Sequence, residues 1–212
     1  MRTVIVDYNS GNLHSAEKAF RRMAIESDNG DVLLSSNPDE VAKADRLVLP
    51  GVGAFADCRN GLVQNGLEEA VQQAAIKRGV PFLGICVGMQ LMATIGHEMG
   101  ITHGFDWIPG EVKPLERHNA EMKIPHMGWN QLDDVADHAL FDGIGGGTDV
   151  YFVHSYHLVP DSENNCIAVT DYGGDVTAAV ATENLAGTQF HPEKSQAAGL
   201  RIIANFLSWN PG

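Results

Sequence analysis

The sequence predicts an α/β fold in which a mostly parallel central sheet with flanking helices is followed by a more antiparallel, β-rich second half. In the first half, short apolar runs alternate with segments whose apolar residues recur every three or four positions, the pattern of strands separated by helices. In the second half, apolar runs follow one another without a helical segment between them. The length of 212 residues suits one hydrophobic core, so we treat residues 1–212 as a single domain.

The first half contains four predicted strands and four predicted helices. The strands cover residues 2–7, 31–35, 46–50 and 80–85. The first helix is predicted from an apolar face formed by Leu13, Ala16, Phe20 and Met23. A short helix after Asn37 is predicted from a proline at its first position and a glutamate three residues after the cap. The others are a helix over 62–77 and one that begins after the fourth strand. Open sheets of this kind bind ligands at the carboxyl ends of their strands.

The second half is predicted to consist mainly of strands. We expect them over residues 151–159, 166–172, 177–182 and 185–190. Leu200, Ile203 and Leu207 recur at helical spacing and predict a closing helix, whereas the glycine-rich stretch 143–147 predicts a loop.

Composition and charge exclude several classes of protein. A net charge of −13 argues against nucleic-acid and anionic-membrane partners, since both require a basic surface. No apolar run approaches the roughly 18 residues of a membrane span. The three cysteines, Cys58, Cys86 and Cys166, are odd in number and widely spaced, which favours a cytoplasmic protein over a disulfide framework. We expect Cys58 and Cys166 to be chemically inert.

Cys86 lies between two glycines where an apolar run ends and a helical pattern begins. A cysteine on a turn between a strand and a helix has the geometry of a nucleophile elbow. Gly84 and Gly88 leave room for so sharp a turn because neither has a Cβ atom. At a helix start, unpaired N–H groups favour the thiolate. The alternative interpretation is a buried cysteine without a chemical role.

His191 and Glu193 follow the last predicted strand and are separated by Pro192. In an extended chain, residues i and i+2 point to the same side and lie roughly 6.5–7 Å apart. We therefore expect Glu193 to hold one ring nitrogen of His191 while the other nitrogen faces a thiol, as in a Cys–His–acid triad. The alternative is a surface turn, and the sequence alone does not show that Cys86 and His191 meet.

Segments along the whole chain resemble the class I (triad) glutamine amidotransferases. They are residues 84–90 (GICVGMQ), 189–195 (QFHPEKS), 6–13 (VDYNSGNL), 49–55 (LPGVGAF), 125–130 (PHMGWN) and 152–156 (FVHSY). Within that family the chain resembles most closely the glutaminase subunits of histidine biosynthesis, because subunits for anthranilate or guanylate synthesis usually carry histidine at the position of Met89. Val87 and His157 depart from the usual pattern without removing a reacting group.

The resemblance implies a flavodoxin-like sheet and a catalytic triad of Cys86, His191 and Glu193. It assigns the oxyanion hole to the N–H of Val87 and to that of Val52, with Gly53 as the alternative. The glycines that flank Val52 are expected to let its peptide planes rotate at low steric cost.

The resemblance also implies a substrate and a partner. L-glutamine would be held by Gly51, Gln90, Ser155 and Tyr156. No metal and no cofactor are expected. Ammonia would pass to a separate (β/α)₈-barrel cyclase subunit, with which the chain would form a heterodimer. The candidate residues for the partner-facing surface are Pro125, Met127 and Trp129, although a buried core position for Trp129 is an equal alternative.

Other interpretations stay open at this point. Residues 51–56 (GVGAFA) match a dinucleotide-binding fingerprint, but the next strand ends in a cysteine and not in the expected acid. His154 and His157 could suggest a metal site, yet on a strand they would point to opposite faces. The chain could also be a non-catalytic interaction subunit, or an amidotransferase subunit for another acceptor such as anthranilate synthase.

Overall fold

The computed structural model describes residues 1–9, 11, 13–117 and 122–211, so Ser10 and Asn12 of the N-terminal motif lie outside the described residues. The strands are β1 Arg2–Val6, β2 Asp31–Ser35, β3 Arg46–Gly51, β4 Phe82–Cys86, β5 Ile95–Gly96, β6 Thr102–His103, β7 Gly110–Pro114, β8 His126–Leu132, β9 Thr148–His154, β10 Tyr156–Pro160, β11 Cys166–Asp171, β12 Asp175–Thr182 and β13 Leu185–Thr188. The α-helices are α1 His14–Glu26, α2 Pro38–Ala42, α3 Phe55–Gln64, α4 Leu67–Gln72, α5 Val87–Gln90 and α6 Gln196–Ser208.

The central sheet has seven strands in the order β11-β12-β13-β4-β3-β1-β2. Strands β1, β2, β3, β4 and β13 pair in parallel, whereas β12 runs antiparallel to both β13 and β11. The predicted fold class is therefore confirmed. In the register, Gly51 of β3 lies opposite Cys86 of β4, and Thr188 of β13 lies opposite Ile85. The chain therefore leaves β3, β4 and β13 at the same edge, which brings the predicted functional segments together.

Two smaller sheets accompany the central sheet. One has the order β10-β7-β5-β6, and the other is the antiparallel pair of β8 and β9. Apolar side chains from both halves of the chain form one buried cluster, and α1 packs against α6 through an edge-to-face contact of Phe20 and Phe206 with ring centroids 6.2 Å apart. Among the described residues, no helix is long and apolar enough to cross a membrane.

The helix prediction over residues 62–77 is wrong in its bounds. Helix α3 begins at Phe55 and ends at Gln64, and a separate helix α4 leads into a π-helical turn, Gln73–Lys77. The break occurs at Gly66, whose φ of +66° is left-handed and interrupts the helical hydrogen bonds. At α2, Asn37 caps the helix as predicted. The Glu40 carboxylate, however, accepts a hydrogen bond from the Ser35 hydroxyl, and the Asn37 N–H donates to that hydroxyl instead of to Glu40.

The strand predicted over residues 151–159 is present but is not continuous. The chain forms β9 and β10, which belong to different sheets, with Ser155 between them. The apolar pattern continues across this bend because both strands bury one face, so periodicity alone does not reveal the change of sheet. Strands β5 to β8 were not predicted; β5 and β6 have two residues each, too few for a period-2 signal.

Candidate active site

Cys86 lies at the junction of β4 and α5 in a strained conformation with φ 55° and ψ −112°. A β-carbon on Gly84 would lie 2.6 Å from the carbonyl oxygen of Gly88, and one on Gly88 would collide with the carbonyl oxygen of Leu49. The turn thus has the tight packing expected of a nucleophile elbow. The helix that follows is a single turn, so Cys86 owes its environment mainly to neighbouring side chains and backbone groups.

The backbone of His191 is fixed from two sides. Its N–H donates to the carbonyl of Tyr151 at 2.9 Å, and its carbonyl accepts from the Ser195 hydroxyl at 2.7 Å. The same hydroxyl accepts from the Tyr151 N–H at 3.0 Å. Ser195, the last residue of the QFHPEKS segment, therefore ties the histidine segment to β9, a contact that the sequence did not predict.

The Nδ1 atom of His191 and the Oε1 atom of Glu193 are 2.8 Å apart, and both side chains are buried. The pairing is as predicted, but the local geometry differs from the expected extended strand. Strand β13 ends at Thr188, and Glu193 lies in a short 3₁₀ turn, Pro192–Lys194. The turn brings the carboxylate within hydrogen-bond distance of Nδ1 of the imidazole.

The electrostatics of this pair favour the protonated imidazole. Burial lowers the pKa of His191, but Cys86 and Glu193 together outweigh it and raise the pKa to about 9. The Nε2 atom of His191 is buried and has no hydrogen-bond partner among the described residues. Cys86 and His191 nevertheless line the same cavity, so Nε2 faces the space that the thiol also borders.

A cavity of about 290 Å³ lies between these residues. It is lined by Val52, Gly53, Cys86, Val87, Gln90, Glu98, Pro125, Val153, His154, Ser155, Tyr156, His191 and Lys194. Most of the sequence-predicted site residues therefore meet at one place. Glu193 lies behind His191, Gly51 does not reach the cavity wall, and Met127 and Trp129 lie in a neighbouring groove.

The wall of the cavity is organised by two glutamine side chains. The Nε2 atom of Gln90 donates to the carbonyl of Tyr156 at 2.8 Å and to Oε1 of Gln189 at 3.0 Å. Gln189 in turn donates to Sγ of Cys86 at 3.6 Å. The amide hydrogens of Gln90 are therefore used within the protein, which leaves its carbonyl oxygen as the group for a ligand.

Gly51 and Gly53 differ in a way that the sequence did not predict. Gly51 is buried within β3, and a β-carbon there would lie 2.7 Å from the Gly88 nitrogen and 2.9 Å from Cβ of Val87. Its role is therefore close packing against the elbow, and the expectation of free rotation at Gly51 is wrong. Gly53 has φ +114° and no atom within 4 Å of the position of a β-carbon. The backbone is therefore free to change conformation at Gly53, on the C-terminal side of Val52.

A surface groove borders the cavity and shares Pro125 with it. The side chains of Met127 and Trp129 are 62% and 48% exposed, so the alternative of a core position for Trp129 is wrong. They lie on strand β8 beside the groove, where large exposed apolar side chains are typical of a protein interface.

Glu98 and Lys194 also line the cavity, and neither was predicted. A carboxylate oxygen of Glu98 accepts from the N–H of Phe55 at 2.7 Å and so caps α3 from a distant loop. Such a long-range cap leaves no local sequence signal. The Nζ atom of Lys194 lies 5.9 Å from the centre of the Tyr151 ring.

The structure separates the two histidines whose spacing could suggest a metal site. His154 is hydrogen-bonded to His126, and in the part of the chain that the structure describes no group of three His, Cys, Asp or Glu residues is placed to hold a metal ion. The two histidines at 154 and 157 lie in different strands on either side of the bend at Ser155.

Iodoacetamide is expected to modify Cys86 before either of the other cysteines. Burial raises the pKa of Cys58 to about 11 and also raises that of Cys166, so both stay as thiols near neutral pH. Cys166 is less buried than Cys86, so exposure alone would give the opposite order. Mass spectrometry of peptides from the native protein measures the order. Initial labelling at Cys166 would show that access, and not activation, governs reactivity.

The chain matches the family Glutamine amidotransferase class-I over residues 4–209. It is 57% identical over 212 residues to a protein of Ruegeria pomeroyi named imidazole glycerol phosphate synthase subunit HisH, with 100% of each chain covered. It is 55% identical over 216 residues to the protein of the same name from Caulobacter vibrioides, again with 100% of each covered.

Solved structures show the same fold at low sequence identity. The glutaminase domain of Trypanosoma brucei CTPS, with bound acivicin, superimposes with a TM-score of 0.67 at 18% identity, over 99% of this chain and 95% of the other. A glutamine amidotransferase from Thermotoga maritima gives a TM-score of 0.64 at 17% identity, over 91% and 76%. These two likenesses concern the fold alone.

Proposed function

The chain belongs to the class I glutamine amidotransferases, and within them to the imidazole glycerol phosphate synthase subunits HisH, and we propose that it supplies ammonia from L-glutamine to a cyclase subunit in histidine biosynthesis. The partner would be a (β/α)₈-barrel that makes imidazole glycerol phosphate and an AICAR nucleotide. The observation that carries the proposal is that the elbow cysteine shares one cavity with His191, whose other ring nitrogen is paired with the buried side chain of Glu193.

The first half of the reaction forms a thioester. The Cys86 thiolate attacks the side-chain amide carbon of glutamine, and the carbonyl oxygen becomes an oxyanion. The Val87 N–H follows the nucleophile at the first helical position, where it has no intrahelical acceptor, and Val52 or Gly53 supplies the second donor. His191, protonated at neutral pH because of its raised pKa, gives its proton to the departing ammonia.

The second half hydrolyses the thioester. His191 is now neutral and takes a proton from water, which attacks the thioester carbonyl carbon. The second oxyanion uses the same donors, and its collapse breaks the carbon–sulfur bond. Glutamate leaves, and the thiolate faces a protonated His191 once more. Glu193 keeps the imidazole oriented and stabilises its positive charge in both halves.

The substrate-binding residues follow from the cavity wall. Gln90 presents its carbonyl oxygen, which accepts a hydrogen bond from an ammonium or amide group, and Glu98 adds a carboxylate. The carbonyl of Tyr156 is already used by Gln90 and by Nδ1 of His154 at 2.9 Å. Ser155 and Tyr156 therefore offer glutamine their N–H groups or side chains.

The proposal is tested with the chain and its cyclase partner purified together. Glutamate release, and transfer of ¹⁵N from amide-labelled glutamine into imidazole glycerol phosphate, are expected only when both proteins are present. A complex that uses ammonia but not glutamine would contradict the glutaminase assignment. Glutamine hydrolysis that depends on an anthranilate synthase component instead would assign the chain to another acceptor.

A further inference from the structure

A chain of hydrogen bonds runs from the surface groove beside β8 to the sulfur of Cys86. It starts at Asn130, whose Nδ2 lies 3.3 Å from Nε2 of His126. Nδ1 of His126 lies 3.1 Å from Nε2 of His154, and Nδ1 of His154 lies 2.9 Å from the carbonyl oxygen of Tyr156. That carbonyl is the one that holds Gln90, and the chain continues through Gln189 to Cys86.

The direction of each bond in this chain is fixed. The amide nitrogen of Asn130 only donates, so Nε2 of His126 is an acceptor and the hydrogen of that ring is on Nδ1. His126 therefore donates to Nε2 of His154, which is an acceptor, and Nδ1 of His154 carries the hydrogen that the Tyr156 carbonyl oxygen accepts. Both rings are therefore neutral and in the Nδ1–H form.

The surroundings of the two rings maintain this neutral form. Burial lowers the pKa of His126 to about 4 and that of His154 to about 3. The imidazole of His126 is stacked between Phe152 and Tyr172, with ring centroids 4.6 Å and 3.8 Å away. The ring is thus held in one plane by contacts that are independent of its hydrogen bonds.

Strand β8 presents two different faces. Met127 and Trp129 lie on one face and are exposed, whereas His126 and Asn130 lie on the other. His126 lies directly opposite His154 in the antiparallel register of β8 and β9. The exposed apolar face of the strand and the start of the hydrogen-bond chain therefore belong to the same rigid element.

We propose that His126 and His154 are positioning residues that tie strand β8 to the glutamine pocket and hold Gln90, Gln189 and the Cys86 sulfur in register. This inference rests on the proposed function. Docking of the cyclase on the exposed face of β8 then stabilises the same strand that anchors the hydrogen-bond chain, so partner binding and the order of the pocket are linked.

Two substitutions at His126 separate hydrogen bonding from packing. His126→Phe keeps the stacked ring but removes both hydrogen bonds, whereas His126→Asn loses the stacking and places an amide donor near the position of Nδ1. With the cyclase bound, His126→Phe is expected to lower kcat/KM for glutamine about tenfold, because of its two lost hydrogen bonds the one to His154 leads to the pocket, and one such bond is worth about this factor. His126→Asn is expected to recover most of that loss. Ammonia-dependent synthesis stays unchanged in both variants.

The control is Tyr172→Phe, which keeps the ring on His126 and removes only the hydroxyl bond to the Lys123 carbonyl at 2.6 Å. It is expected to match the wild type. If His126 had a merely structural role, the order of kcat/KM values would be reversed, with His126→Asn less active than His126→Phe. The thermal unfolding temperature would then fall in the same order. That order, or a His126→Phe rate within twofold of wild type, would overturn the proposal.

A second measurement uses the wild-type protein and requires neither a substitution nor an activity assay. The ¹⁵N chemical shifts of the imidazole nitrogens in the wild-type protein report tautomer directly. We expect both His126 and His154 to be neutral Nδ1–H forms at pH 7. An Nε2–H form or a charged ring at either position would refute the hydrogen-bond chain, even if glutamine hydrolysis is confirmed. Failure of glutamine hydrolysis with the expected tautomers would instead refute the proposed function alone.

Discussion

Cys86→Ala is expected to abolish glutamine-dependent synthesis by the two-protein complex, with a loss of about 10⁴-fold or more, because no other group replaces the nucleophile. Ammonia-dependent synthesis should remain close to wild type, since this chain only releases the nitrogen and the cyclase uses it. Glutamate release and product formation, measured with glutamine and then with ammonium salt, give the comparison.

The elbow allows this substitution without rearrangement. Alanine keeps the Cβ atom of Cys86 and adds nothing to the crowded contact with Gly84 and Gly88. The matched control is Cys166→Ala, which removes a thiol from the edge strand β11 and should leave glutamine use unchanged. Loss of both the glutamine and the ammonia reactions in Cys86→Ala would mean that the cysteine supports the fold or the contact with the cyclase instead of chemistry.

The features that could be predicted from the sequence are those whose cause is local. The elbow needs glycines two residues on either side of Cys86, and a strand–turn–helix pattern around them is visible in the sequence. Likewise the pairing of His191 with Glu193 follows from two side chains that are only two positions apart. Parallel strands alternating with helices then place both segments at one edge of the sheet.

The features that could not be predicted depend on long-range contacts. The carboxylate that caps α3 comes from Glu98, and the histidine that continues the pocket's hydrogen bonds comes from β8 through its register with β9. Neither contact could be predicted from its own segment, because each partner is distant in the sequence and only the fold brings the two together. The close packing of Gly51 also depends on a distant segment, because the elbow at residues 86–88 lies against it. From the sequence alone, only the conformational freedom of glycine itself is visible.

His191→Asn should be nearly as damaging as loss of the thiol, with glutamine-dependent kcat reduced about 10³-fold or more. Asparagine is smaller than histidine and its amide is a hydrogen-bond donor, but it neither protonates ammonia nor deprotonates water. Glu193→Gln should be about 10²-fold milder, because the acid orients the base and stabilises its charge without moving a proton. Single-turnover measurements with saturating glutamine separate these effects from binding.

The two variants also differ in their pH dependence. Cys86 and Glu193 together raise the pKa of His191 to about 9 against the effect of burial, so removal of the Glu193 carboxylate should lower that pKa. The imidazole of Glu193→Gln then loses its proton at a lower pH than in the wild type. The form that protonates departing ammonia is therefore lost earlier as the pH rises, and the alkaline limb of the kcat profile shifts to lower pH. His191→Asn should show no such limb. If Glu193→Gln proved more damaging than His191→Asn, the roles of base and orienting acid assigned to this pair would be wrong.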